Sequence, residues 1–251
     1  NNNEIITILR NVQLLETQTQ NLFNPAIGKL IKLWGFHSND YNHKKIPNEQ
    51  IIQELVSSAP SMQSIKIENG ILKSNNENVQ IDLGGYAKGY ALDQAKKILI
   101  KNNVKNALIN IGGNILAIGK YGKRDWVVGI QNPRKPNVIA TIALKPGWAI
   151  GTSGDYQRYI MVDNQRYSHL INPKTGYPEN NTQSATILLP PTKDSGTLSD
   201  VFSKPLFIID KENKANMAKL LNIKYFLIIM EDNTILISES LNKEINWEDD
   251  I

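Results

Sequence analysis

The 251-residue sequence contains no cysteine. That excludes disulfides, thiolate metal sites and thiol nucleophiles, and it leaves the redox compartment open. No apolar run approaches the ~20 residues that a membrane span needs. The opening "NNNEIITILRN" lacks the basic-then-apolar pattern of a signal peptide and has no initiator methionine, so the chain is expected to be a trimmed piece of a longer protein. Charge of one sign is also scarce. Lys and Arg total 28 against 24 Asp and Glu, with no basic block, which argues against a nucleic-acid partner and leaves room for an anionic small molecule. Three scattered histidines without an H-x-x-x-H pair make a zinc site an unlooked-for feature. What remains is ordinary globular material, 41% hydrophobic and 21% charged, long enough to bury a sizeable core.

Apolar spacing predicts a helix in the first segment, broken at Asn24-Pro25, and a second after Asn48, a candidate N-cap. Residues 37–48, holding His37 and His43, read as a polar loop. "SIKIENGILKS" reads as a hairpin about Asn69-Gly70, "VQIDL" as a strand, and "AKGYALDQAKKILIKNN" as an amphipathic helix. Two strands are expected to meet across Gly112-Gly113, with "DWVVGIQNP" and "VIATIAL" continuing the sheet. Further hairpins are expected about Asp163-Asn164 and Asp232-Asn233, a strand in "SATILLP", and helices in "LSDVFSKPLFII" and "NKANMAKLLN". Hairpins and helices without regular alternation predict an α+β fold with mixed or antiparallel sheets and packed helices.

Four stretches carry polar chemistry. "IDLGGYAKGYALDQ" (81–94) matches neither the mononucleotide nor the dinucleotide phosphate fingerprint. A tight turn explains its glycines. Asp82, Lys88 and a helix N-terminus together would instead suit a phosphorylated ligand. In "AIGTSGDYQRYI" (149–160), Gly151, Thr152, Ser153 and Gly154 interrupt a strand before Asp155, Tyr156 and Arg158; a plain loop explains the glycines but not that cluster. His169, in "YSHLINPKTGYP", is either structural or an acid, base or phosphate contact. Asp200, near the start of a helix in "GTLSDVFSKPLFIID", is either a helix-start acid or an oxygen ligand for Mg²⁺.

In order along the chain, "FNPAIGKLIKLWGF", "DLGGYAKGYALD", "GGN", "TSGDYQR", "HLINPKTGYP" and "SDVFSKPLF" resemble the ApbE family of FAD:protein FMN transferases. The family's patterns run F-D-P-T-V-G…L-W-G-F, D-L-G-G-I-A-K-G-Y-A-V-D, G-G-D/N, T-S-G-D-Y-E-R, H-I-I-D-P-R-T-G-Y-P and A-D-A-L-S-T-A-L-F. The resemblance covers about residues 20–210 and implies one ApbE-like domain over 1–251, lacking the family's N-terminal segment. It implies Mg-dependent transfer of FMN from FAD to a Thr or Ser hydroxyl of an acceptor protein, with AMP released. It further implies FAD contacts at Phe23, Asn24, Asp82, Lys88, Thr152, Ser153 and Gly154. Metal ligation is implied at the Gly85 carbonyl, Asp200 and Ser203, and catalytic roles at His169, Lys88 and Asp200. An extracytoplasmic setting follows too, with the membrane reached only through a lipid anchor absent from this chain.

Three positions depart from the pattern. The family's ligating Thr, four residues after the Asp, is Lys204 here; Asn24 and Asn172 stand where the family has Asp. An ammonium cannot ligate Mg²⁺. It repels the ion or replaces part of its charge on phosphate. Pro205 is expected to disturb the helix by removing an N–H. The alternative to an active transferase is therefore an FAD-binding protein, or an FAD diphosphate hydrolase, with impaired transfer.

Overall fold

Helix α1 (Asn2–Gln18) buries Leu9, Val12 and Leu15 along one face, the stripe that its apolar spacing requires. Left-handed backbone at Gln20 and Asn21 (φ 53° and 64°) follows its end. This computed structural model describes residues 2–38, 45–68 and 70–248, so His43 and Asn69 lie outside the described residues. Helix α2 (Gly28–Leu33) comes next, then α3 (Glu49–Ser57). Asn48 caps α3 as expected, its Oδ1 accepting from Gln50 N–H at 2.8 Å and Ile51 N–H at 3.4 Å. Strands β1 (Ile65–Glu68) and β2 (Ile71–Ser74) form the first hairpin.

The chain continues through α4 (Ala87–Lys101), β3 (Ala107–Ile111), β4 (Asn114–Ile118), β5 (Trp126–Gln131), β6 (Val138–Leu144) and β7 (Ala149–Gly154). A hairpin of β8 (Tyr159–Val162) and β9 (Gln165–Ser168) follows, then β10 (Thr182–Leu189), α5 (Ser195–Ile208) and α6 (Lys214–Leu220). Strands β11 (Tyr225–Met230) and β12 (Ile235–Ile237), helix α7 (Glu239–Asn242) and β13 (Ile245–Trp247) complete it. The β3–β4 turn needs Gly112 and Gly113, whose φ values of 58° and 89° suit a two-residue hairpin linking Ile111 to Asn114.

These elements divide into two compact units. The first, Asn1–Gly85 with Gln157–Asn180, packs Ile27, Leu30, Trp34, Phe36, Ile52, Ile160 and Ile171 into one core. Trp34 anchors it, stacked on Tyr167 at 5.6 Å and donating its indole N–H to the Gly176 carbonyl at 2.8 Å. The second unit, Tyr86–Tyr156 with Asn181–Ile251, holds a six-stranded sheet in the order β12-β11-β10-β7-β4-β3 and a three-stranded sheet β13-β6-β5. Every pairing in both sheets is antiparallel. Val128, Ile142 and Leu144 of the small sheet share a core with Ile150, Leu188 and Leu227 of the large one. Helices α4 and α5 contribute to the large sheet's packing too, and all eight residues of β10 are buried. The α+β fold with antiparallel sheets is thus as expected.

Four local expectations are corrected. "VQIDL" forms no strand: only Gln80 makes a single bridge, to Ile27, because the backbone of this segment bonds to Pro25, Ala26 and Gly28. Strands β5 and β6 do not continue the large sheet but build the second one, which covers its apolar face. Gly151, Thr152, Ser153 and Gly154 do not interrupt a strand; they are its body, β7. Pro205 does not break α5, which runs on to Ile208 with Leu206 and Phe207 fully buried; tertiary packing outweighs the lost N–H.

Candidate functional site

The glycine-rich turn of residues 84–86 leads into α4, whose N-cap, Tyr86, offers no side-chain acceptor to the first N–H groups. One of those groups is already used. Gly89 N–H donates to Asp200 Oδ2 at 2.9 Å, across 111 residues of chain. Asp200 lies in the second turn of α5, so its carboxylate meets the positive end of α4 rather than of its own helix. The approach requires glycine: a Cβ on Gly89 would collide with the Gly196 carbonyl and stand 2.7 Å from Asp200 Cβ.

The other face of this carboxylate holds a cation. Lys204 Nζ donates to Asp200 Oδ1 at 2.7 Å and to the Asp200 carbonyl at 2.7 Å. Burial pushes the Asp200 carboxyl up, but Lys204 beside it, then Lys88 and the Gly89 N–H, outweigh that and hold it below the usual carboxylate range. The Lys88 stem runs against the β3–β4 turn, with its Cδ 3.2 Å from where a Gly112 Cβ would stand. Two residues on, Asn114 is 1% exposed and its Nδ2 has no partner. One carboxylate, two ammonium groups, a helix start and an orphaned amide donor therefore belong to this unit.

Strand alternation sorts the hydroxyls of β7. Ser153 donates to Ser203 Oγ at 2.8 Å, since Ser203 itself donates to the Asp200 carbonyl at 2.9 Å. Gly151, on the same face as Ser153, lets α5 close in, as a Cβ there would collide with the Ser199 carbonyl. Thr152 points to the opposite face and shares a 2.9 Å hydrogen bond with Thr186. Gly154 lies against the Tyr156 ring, whose hydroxyl pKa is pushed up to about 12 by burial and then by Asp155. Arg134 holds Asp155 in a two-pronged pair, at 2.7 and 2.8 Å.

In the other unit the candidates are held by their own neighbourhoods. Phe23 is 4% exposed, a core residue with its N–H donated to Thr19 Oγ1. Asn24 accepts from Ala26 N–H at 2.8 Å and donates to the Pro60 carbonyl at 2.8 Å. Asp82 accepts from Gly84 N–H at 2.8 Å, and half-buried Gly85 follows. Asn172 accepts from Lys174 N–H at 3.0 Å and shapes the turn after His169. His169 Nδ1 lies 3.1 Å from the Arg158 carbonyl. A carbonyl only accepts, so neutral His169 carries its proton on Nδ1 and its lone pair on Nε2.

The implied Mg²⁺ finds a poor donor set at Asp200. Both carboxylate oxygens are engaged, one by an ammonium, and the Ser203 hydroxyl is committed inside its helix. Among the described residues no group of three or more acids or histidines could hold a metal ion. These residues do not fit a divalent cation.

Two residues escaped the sequence reading. Asp93 accepts from Gly196 N–H (3.0 Å), Thr197 N–H (2.7 Å) and Thr197 Oγ1 (2.7 Å), pinning the start of α5 to α4. Its signal was one turn of helix after Gly89, at the end of "DLGGYAKGYALD". Asn114 was visible only as the last residue of "GGN".

The model of the ApbE family matches residues 1–227. An FAD:protein FMN transferase of Rhodobacter capsulatus is 33% identical over 231 residues, covering 92% of this chain and 43% of that protein. One from Haemophilus influenzae is 30% identical over 233 residues, covering 90% of this chain and 66% of the relative. The chain thus spans less than half of one relative's length and about two thirds of the other's. Among solved structures, an ApbE protein from Thermotoga maritima superposes with a TM-score of 0.84 at 32% identity, covering 96% of this chain and 77% of that one. The flavin transferase ApbE from Vibrio cholerae gives 0.79 at 26% identity, covering 95% and 76%. With the six motifs in order and these matches along nearly its whole length, the chain belongs to the ApbE family.

Proposed function

We propose that the chain binds FAD and transfers its FMN half to a Thr or Ser hydroxyl of an acceptor protein, releasing AMP. The observation that carries this reading is the cationic cluster at the start of α4, where Lys88 and Lys204 bear on the single carboxylate of Asp200. Such a cluster suits a diphosphate and the charge that develops as it is cleaved. The activity named for the relatives supports the same reading. Asp82 and Asn24 are the proposed flavin-nucleotide contacts outside this cluster; buried Phe23 and the hydroxyls of Thr152 and Ser153, which β7 sends to opposite faces, are not proposed to meet one ligand.

In this proposal the acceptor oxygen bonds to the FMN phosphorus, the bond from that phosphorus to the bridging oxygen breaks, and AMP leaves with the electron pair. His169 Nε2, the lone-pair nitrogen, takes the hydroxyl proton. Lys88 offsets negative charge on the phosphates. No step is routed through a metal, because Lys204 occupies the carboxylate that would hold one. The setting proposed is extracytoplasmic, with a lipid anchor to the membrane; no helix of the described residues is long and apolar enough to cross one.

That same occupancy favours a second reading, an FAD-binding or FAD-hydrolysing protein. One assay separates them. The protein is incubated with FAD, with and without an acceptor domain, while AMP is followed by chromatography and acceptor mass by mass spectrometry. An acceptor that gains FMN as AMP appears is the expected result. AMP without a mass gain would establish the hydrolase, and tight FAD binding with neither product the binding protein.

A further inference from the structure

Lys204 sits on Asp200 where the family has a threonine. An ammonium carries three donors. Two go to Asp200, to Oδ1 and to the carbonyl, at 2.7 Å each, and the side chain keeps 13% exposure. The third N–H is left for a ligand. Lys204 neutralises the carboxylate, and Lys88 bears on the same carboxylate as a second cation near the first turn of α4. Elsewhere in the same unit, Asn114 Nδ2 is a buried donor with no partner.

We infer that Lys204 is the resident cation of this site, tethered through Asp200, and that the site takes the diphosphate of a dinucleotide without a divalent metal. A diphosphate ordinarily needs its charge offset by a hard cation drawn from solution, held by one or two carboxylates. Here the ion is covalently part of the chain, and the carboxylate that would recruit a metal positions the ammonium instead. Asp200 is then a positioning residue, and Lys204 and Lys88 are the groups that meet phosphate.

This inference rests on the proposed FAD reading, and the test keeps the two apart. FAD binding is measured by flavin fluorescence for the wild type and Lys204→Thr, each in EDTA and in Mg²⁺, and thermal melts are run with Mg²⁺ alone. The wild type should bind FAD with less than a twofold change between EDTA and Mg²⁺, and Mg²⁺ alone should not shift its melting temperature. Lys204→Thr, which restores an oxygen ligand, should bind about tenfold more weakly in EDTA, recover in Mg²⁺, and gain a Mg²⁺-dependent rise in melting temperature. Lys204→Gln removes the charge without a metal site and should weaken binding in both conditions; it keeps the test open if the threonine variant fails to fold. Wild-type binding that collapses in EDTA and returns with Mg²⁺ would overturn the inference and leave the FAD reading intact. A folded wild type that binds no FAD in either condition would overturn both.

Discussion

The two compact units hold their polar residues by different means. In the first, Asn24, Asp82 and Asn172 each accept from the N–H two residues ahead, to Ala26, Gly84 and Lys174. These are Asx turns, complete within a tripeptide. In the second unit the corresponding bonds reach far along the chain: Asp200 to Gly89 over 111 residues, Asp93 to Thr197 over 104, and Ser153 to Ser203 over 50. A local turn survives if the rest of the fold loosens. A long-range carboxylate contact exists only while two helices and a strand stay in register, so the second unit makes its charged cluster and its stability out of the same bonds.

The sharpest way to break that contrast is to cut one long-range contact. Asp93→Ala leaves three buried donors at the start of α5 without an acceptor and should destabilise the protein by about 4 kcal/mol, read by urea denaturation. A loss near that of a surface residue would show that α5 is held by packing alone. Gly89→Ala comes next. Its methyl group has no room against Gly196 and Asp200, and the expected loss is about 3 kcal/mol in the same assay.

Glu16 sharpens the comparison from inside the first unit, being a buried acid there whose bonds are not local. It accepts from Ser61 Oγ at 2.9 Å and Met62 N–H at 3.1 Å. Burial raises its carboxyl above the ordinary 4.5, more than these hydrogen bonds lower it. The folded state therefore binds this proton more tightly than the unfolded chain. The stabilisation is full below the unfolded value and is lost as pH rises through the folded one. Thermal melts between about pH 4 and 7 should show the wild type losing ground relative to Glu16→Gln as pH rises. A gap between the two that stays constant with pH would refute the raised value. Asp82→Ala should change least, by about 0.5 kcal/mol, because it removes only one local turn bond. A much larger loss would mean that Asp82 is structural beyond its turn.

Much of the site's make-up was legible in the sequence for the same reason. Turn chemistry is short-range, and Asn48, Asp163-Asn164 and Gly112-Gly113 announced a helix cap and two hairpins that the structure contains. Long-range pairing left weaker traces. Gly151 looked like a loop residue because glycine is rare in strands, yet it lies in β7 to admit α5. Pro205 was expected to disturb its helix because propensity is judged one residue at a time, yet α5 runs through it to Ile208, since a buried helix answers to everything around it.

By itself, the order of motifs determined the family, the α+β class and the residue types available for chemistry. Only the tertiary structure decided what each of those residues holds. Lys204 read as a missing ligand in one dimension; in three it is a cation seated on Asp200, because helical geometry places residues four apart on one face and burial leaves that carboxylate no better partner. Thr152 and Ser153 read as neighbours in one polar cluster, and the pleat of β7 sends them to opposite faces of the sheet. Sequence specifies which groups exist; periodicity, burial and long-range register specify which of them meet.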